Sequence, residues 1–328
     1  ALARSRGGLF CRDKRDAQGI EAEIPRSLQR GRIGAESPAE PACGFGAPPL
    51  SSRARAIILG RMDGKIATFG EGALIAERGG LCPYGMPRAH GMRFFRVERC
   101  DEGSYERAMA EGWRRSGMFF YQNACEGGCA SCVPIRVDAR AIVPTKAQRR
   151  AIRMNGDLSL SLSESGFSRE DFALFRAYLA ARHPEDARGF DEEAYYRSYL
   201  ASPVEGAIAR YRTADGRLVA LGFIDVLADG FSSVYFAFDP AESRRSLGVY
   251  SVFAECSLLA SLGKRWYYLG FWVAGCRKME YKAGFRPHEI TQGGQWVAGS
   301  IADAGIRSCA GAGEESGEDK TQPEGREA

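Results

Sequence analysis

At 328 residues, with 45% hydrophobic and 26% charged residues, the chain has the profile of a globular protein long enough for two modest domains. A net charge of +4 tolerates a polyanionic partner but argues against a dedicated nucleic-acid domain, which is usually more basic. No apolar run reaches the roughly 18–20 residues that cross a bilayer, and there is no charged-then-apolar leader, so a cytoplasmic protein whose ten cysteines are mostly reduced, with no membrane partner, is expected.

Residues 1–65 mix Arg, Gly, Ala, Pro and Ser without periodicity and are expected to form a disordered extension, either a basic tail or a stretch upstream of a start at Met62. The block 66–145 carries a cysteine cluster. Within it Met92–Val97 reads as a strand, Ser104–Glu111 as a helix with Ser104 as N-cap, and Val133–Val137 as a strand that Pro134 places at a sheet edge. The block 146–300 is more legible. Ser168 caps a helix in which Phe172, Phe175, Tyr178 and Leu179 recur at helical spacing, and a second helix covers Glu192–Leu200. Three strands follow at Ala207–Tyr211, Leu218–Val226 and Phe231–Phe238, punctuated by Asp215-Gly216 and Asp229-Gly230. A helix over Val249–Ser261 stops at Gly263, a C′ glycine, before an apolar strand at Trp266–Phe271. A short helix at Lys278–Lys282 and a strand pair at Arg286–Ile290 and Gln295–Val297 close the block, and the acidic segment 301–328 reads as a disordered tail. This order is α+β and suits an N-acyltransferase of the GNAT type, one of several α+β options.

Four groups of residues carry chemistry. Cys82, Cys125, Cys129 and Cys132 supply four thiolates, enough for a tetrahedral zinc ion or an iron–sulfur cluster, although buried reduced cysteines also pack as small apolar residues. Arg114 and Arg115 follow Trp113, and Lys146, Arg149, Arg150 and Arg153 share much of one helical face; such strips track phosphates or are simply solvated. Asp239-Pro240 and Arg244-Arg245-Ser246-Leu247-Gly248 lie at a strand-to-helix junction, where backbone N–H groups and arginines bind the pyrophosphate of coenzyme A or the phosphates of a tRNA end. Lys278 and Lys282, four apart beside the strand end at Phe271, share one face and can hold a carboxylate. No Ser-His-Asp arrangement is visible.

Several of these strings together resemble one family. Cys82-Pro83-Tyr84, Gly112-Trp113-Arg114-Arg115-Ser116-Gly117 and Cys129-Ala130-Ser131-Cys132-Val133-Pro134-Ile135-Arg136 are similar to the N-terminal region of arginyl-tRNA–protein transferases, in particular the bacterial aspartate/glutamate leucyltransferases. His183-Pro184, Phe238-Asp239-Pro240, Arg245-Ser246-Leu247-Gly248, Tyr268-Leu269-Gly270 and the run Gly275–Pro287 resemble their C-terminal region in the same order. One departure stands out: the bacterial pattern is Cys-x2-Cys-x2-Cys, and here Cys125 and Cys129 are separated by three residues.

The resemblance implies a GNAT-like catalytic half over 146–300, an N-terminal cysteine-cluster domain over 66–145 and an aminoacyl-tRNA donor. It also implies acceptor proteins beginning with Asp or Glu, whose modified N-terminus feeds the N-degron pathway. Cys82, Cys125, Cys129 and Cys132 become the expected cluster or zinc ligands. The aminoacyl ester is already activated, so no cofactor is required for the chemistry. On this reading Arg277, Lys278, Lys282 and Arg286 form the pocket for the acidic acceptor, and Arg244, Arg245 and Gly248 hold the tRNA acceptor end. Arg114, Arg115, Lys146, Arg149 and Arg150 contact the tRNA, and Asp239 or Tyr281 moves the proton. An arginyl donor, an acetyl-coenzyme A donor, and a metal- or redox-sensing RNA-binding protein without catalysis are the alternatives.

Overall fold

The computed structural model describes residues 59–62, 65–68 and 75–299, so the expected disorder over most of 1–65 and over 301–328 lies outside the described residues. Leu59–Met62 (β1) and Lys65–Thr68 (β2) pair as antiparallel strands, β1 within the stretch expected to be unstructured and β2 running past its end.

A four-stranded sheet follows, built from Ile75–Leu81 (β3), Ala89–Arg96 (β4), Arg114–Ser116 (β5) and Phe119–Asn123 (β6) in the order β3-β4-β6-β5. The helix Glu102–Ala110 (α1) interrupts it. Its N-cap is Asp101 rather than the expected Ser104: the Asp101 carboxylate accepts from the Ser104 backbone N–H at 2.8 Å, satisfying a donor that a first-turn residue leaves free. Phe95, Tyr105, Met109, Trp113 and Phe120 bury themselves between this helix and the sheet, together with Leu227 and Tyr268 of the larger sheet.

Val133–Asp138 (β7) crosses into the larger sheet and lies between two strands, not at the edge that Pro134 led one to expect. The outer neighbour pairs only with Ile135, Arg136 and Val137, so at Pro134 one side of β7 is open and the missing N–H costs no ladder bond there. Lys146–Met154 (α2) starts with a reciprocal cap between Thr145 and Gln148. Ser159–Glu164 (β8), a Ser-Leu alternation, forms the far edge of the sheet.

Ser168 caps Arg169–Arg182 (α3) as expected, and Glu192–Tyr195 (α4) continues as a π turn through Leu200. The meander Gly206–Arg212 (β9), Leu218–Leu227 (β10) and Gly230–Phe238 (β11) comes next. All ten residues of β10 are buried because Phe175 and Leu179 of α3 and Tyr195 of α4 cover one face, packing with Phe223 of β10, while Leu247–Ser261 (α5) covers the other. Gly263 takes φ +74° at the end of α5, the left-handed conformation the sequence signalled. Trp266–Trp272 (β12), Arg277–Glu280 (α6), His288–Gln292 (β13) and Gln295–Ala298 (β14) complete an eight-stranded sheet ordered β14-β13-β7-β12-β11-β10-β9-β8. Its one parallel pair is β11 with β12. The fold is mixed α+β, and β7 ties the cysteine block to the sheet of the second block.

Candidate active site

The parallel pair holds only over Gly230–Ser232 against Trp266–Tyr268. Beyond it both strands bulge, β11 against β10 between Ser233 and Tyr235, and β12 against β7 at Leu269. A bulge bends its strand away from the partner, and here the two bends open a cavity of about 470 Å³ between the strands. Its walls are largely aromatic, with Tyr84, Tyr121, Tyr178, Tyr235, Phe236 and Phe238 among them.

Two cations enter this cavity. Arg114 and Arg115 are consecutive on β5, and successive strand side chains face opposite ways. Arg115 meets Asp225 of β10 through both carboxylate oxygens at 2.6–3.0 Å, with both side chains almost fully buried. Arg114, 7% exposed, enters the cavity instead, where Nη2 donates to the Ser233 carbonyl at 3.0 Å and to Ser232 Oγ at 3.3 Å. Lys282, on the turn after α6, donates from Nζ to the Phe271 carbonyl at 2.9 Å. Gly270 sits between them at φ +83°, and a Cβ there would lie 3.6 Å from Arg114 Nη2 and 3.7 Å from Lys282 Nζ. The two cations therefore converge on one point, where the left-handed backbone conformation favours glycine. Burial first, then the neighbouring Arg114, pulls the Lys282 ammonium down to about 7. Among the described residues no carboxylate pairs with Arg114 or Lys282, and none lines the cavity. Desolvated cations without counter-ions are costly, so the geometry provides a seat for an anion.

The sequence-derived site is partly assembled here. Lys278, Lys282, Gly248 and Tyr281 line the cavity, whereas Arg277 and Arg286 are exposed and do not. Of the four cations expected to share a pocket, Lys278 and Lys282 line this cavity, and Arg114 joins them there. Arg114 and Arg115 cannot track outer phosphates because the larger sheet covers them. Asp239 is also corrected: its carboxylate caps Ala241 N at 3.0 Å and pairs with Arg217 at 3.0 Å, outside the cavity. Tyr281 lines the mouth, but desolvation pushes its phenol above the ordinary value, the wrong direction for a base. Arg245 is tied to Asp157 and Glu242 at 2.7 Å each, while Arg244 is exposed on the same turn. Lys146, Arg149, Arg150 and Arg153 remain exposed along α2, a free basic face. The sequence reading missed Ser233 and His183 as cavity residues. His183 stood within a quoted string, yet nothing local marks a strand bulge or its facing helix end.

The cysteines gather without forming a ligand set. Burial, then the nearby Cys82, Cys125, Cys129 and Cys276, push the Cys132 thiol up to about 12. Yet among the described residues no three Cys, His, Asp or Glu side chains converge as on one metal ion. Cys125 Sγ instead contacts the Gly91 carbonyl at 3.7 Å and Cys129 Sγ contacts Ser131 Oγ at 3.4 Å. As arranged, the expected zinc or iron–sulfur ligands do not fit the group, and no step below runs through it.

An aromatic cleft opened between parting parallel strands, with two cations that no carboxylate pairs among the described residues, has the chemistry to receive an anionic group. Residues 80–150 match the N-terminal model of arginine-tRNA-protein transferase and residues 170–292 its C-terminal model. The aspartate/glutamate leucyltransferase of Chromobacterium violaceum is 36% identical over 201 residues, spanning 61% of this chain and 82% of that protein. That of Thiobacillus denitrificans is 39% identical over 199 residues, spanning 60% and 82%. The chain belongs to the arginine-tRNA-protein transferase family. A solved C-terminal domain of a lysylphosphatidylglycerol synthetase from Agrobacterium fabrum aligns at a TM-score of 0.33 and 18% identity over 43% of this chain and 46% of that one, too slight a likeness to argue from.

Proposed function

We propose that the chain transfers leucine from leucyl-tRNA to the α-amine of proteins beginning with Asp or Glu, a modification that feeds the N-degron pathway in the cytoplasm. One observation carries this reading: Arg114 and Lys282 converge on Gly270 without a carboxylate partner among the described residues. An acceptor Asp or Glu side chain supplies the missing anion, with charge-assisted hydrogen bonds to both. The aromatic walls suit an apolar donor side chain, and the lack of a lining carboxylate among the described residues disfavours an arginyl donor, whose guanidinium would need one.

The parted β11 and β12 support a GNAT-like reading of the sheet, with donor and acceptor meeting in the gap. The coenzyme A alternative is less favoured because Arg245, the arginine of the expected anion loop, is neutralised by Asp157 and Glu242. The exposed basic face of α2 is proposed to contact tRNA phosphates, with Arg244 and Lys278 nearer the acceptor end. In the reaction the α-ammonium loses a proton, and the free amine attacks the ester carbonyl. The amide forms as the C–O bond to the tRNA ribose breaks. Fixing the acceptor carboxylate between two cations holds the amine at the gap and lowers the entropic barrier. The ester is already activated, so the reaction needs no cofactor.

The test is transfer from leucyl-tRNA and arginyl-tRNA to peptides that begin with Asp, Glu or Ala. Leucine joined to Asp and Glu but not Ala supports the reading. Arginine transfer favours the other donor, and tRNA binding without any product favours a non-catalytic RNA-binding protein.

A further inference from the structure

Once the acceptor carboxylate sits on Arg114 and Lys282, its negative charge favours the protonated form of Lys282, which then cannot remove a proton from the α-ammonium. No carboxylate lines the cavity among the described residues. The deprotonation needs an acceptor from elsewhere, and a buried one stands behind the cavity wall.

Glu255, on α5, is 1% exposed and has no cationic partner among the described residues. Tyr211 of β9 donates its hydroxyl to Oε1 at 2.6 Å, and Tyr267 of β12 donates to Oε2. Tyr267 is itself a cavity residue, and Ser233, another cavity residue, lies near enough for its hydroxyl to lower the Tyr267 ionisation. Tyr267 thus donates away from the cavity, toward Glu255, with Ser233 beside it on the cavity lining. Gly222 of β10 leaves the space: a Cβ there would lie 3.1 Å from Glu255 Oε1. A core helix has no structural need for an unpaired carboxylate, since an apolar residue of similar shape packs there without the desolvation cost.

We propose that Ser233, Tyr267 and Glu255 form a proton relay that deprotonates the acceptor α-ammonium. This inference rests on the transferase reading above. The ammonium proton passes to Ser233 Oγ, the Ser233 proton to the Tyr267 oxygen, and the Tyr267 proton to Glu255 Oε2. The free amine attacks the ester; after addition, its remaining extra proton goes to the departing ribose oxygen as the C–O bond breaks. Glu255 then returns its proton through the same chain to solvent, so one proton is released per amide formed. Ser233 is the catalytic member because it meets substrate; Glu255 acts through it. The groups facing Glu255 are Tyr211, Tyr267 and Cys256 of its own helix, each held neutral by burial. Burial pushes the Glu255 carboxyl up to about 7, against the two tyrosine hydrogen bonds that pull it down. The transfer rate therefore rises with pH through that region as Glu255 ionises.

The experiment is single-turnover leucyl transfer to an Asp peptide across about pH 5–9, an interval of about two units either side of that ionisation, with wild type, Glu255→Gln, Tyr267→Phe and Ser233→Ala. Glu255→Gln is expected to lower the rate about 100-fold, leave acceptor KM unchanged and abolish the acid limb. Tyr267→Phe and Ser233→Ala should do the same, and they decide the matter if Glu255→Gln does not fold. An active wild type with variants within about threefold of it and the acid limb intact overturns the relay alone. Loss of that limb in His183→Gln instead assigns the base to His183 and also overturns it. A wild type that transfers nothing overturns the transferase reading, and the relay with it.

Discussion

Replacing Arg114 by Met keeps the length of the side chain and removes its charge from the cavity. The guanidinium is fixed by the Ser233 carbonyl and Ser232 Oγ, so it is positioned before any acceptor arrives. A hydrogen bond to a charged group contributes roughly 1.5–3 kcal/mol, and truncating one member of a buried charge pair costs about 2–5 kcal/mol. Part of the loss is recovered, because Arg114 is the second cause, after burial, of the lowered Lys282 ionisation, and its removal leaves Lys282 more fully charged. A net loss of about 2–3 kcal/mol corresponds to a ~30- to 150-fold fall in kcat/KM for an Asp peptide. An Asn peptide has the same shape without the charge and should lose less than about threefold. The assay is leucyl transfer to matched Asp and Asn peptides by wild type and Arg114→Met, with thermal unfolding to confirm the fold. An Asp-over-Asn preference that survives in a folded Arg114→Met removes Arg114 from acceptor recognition.

Lys282→Met should stabilise the protein, and the sign of its pH dependence is specific. The folded ionisation lies near 7 and the unfolded one near 10.5, so the unfolded chain binds more protons between them and stability rises with pH across that window. The gain from Lys282→Met, on the order of 1–3 kcal/mol, should be full below pH 7 and fade toward pH 10, read by urea unfolding. Arg115→Met leaves Asp225 buried and unpaired at the seam of the two sheets, and should cost about 3–5 kcal/mol, visible as a fall in Tm of roughly 10 °C. Replacing Lys146, Arg149 and Arg150 together by Ala should weaken tRNA binding and reduce the slope of log affinity against log salt by about 2–3, with the rate at saturating tRNA unchanged.

Elements with local signals were legible in the sequence. Ser168 and Gly263 mark helix ends through their own backbone chemistry, and the β9–β11 meander shows itself by turns and apolar runs. What was not legible depends on pairing between distant strands. Pro134 read alone signals an edge; only the short reach of β13 explains it inside the sheet. Arg114 and Arg115 read as one basic strip because charge runs are usually solvated, and only burial of β5 by the larger sheet sends one to Asp225 and the other into the cavity. Lys282 does line the cavity, but the cation beside it there, Arg114, lies 168 positions earlier in the chain (282 − 114). Glu255 left a trace, a lone carboxylate in an otherwise apolar helix, whose meaning needed Tyr211 and Tyr267.

The most direct measurement is a crystal structure with an Asp-starting peptide and a non-hydrolysable leucyl-adenosine amide bound together. The peptide carboxylate is expected between Arg114 and Lys282 beside Gly270, with the leucyl side chain against the aromatic wall and the α-amine within reach of Ser233. A carboxylate bound outside the cavity, on Arg277 or Arg286, with Arg114 and Lys282 untouched, would contradict the central claim.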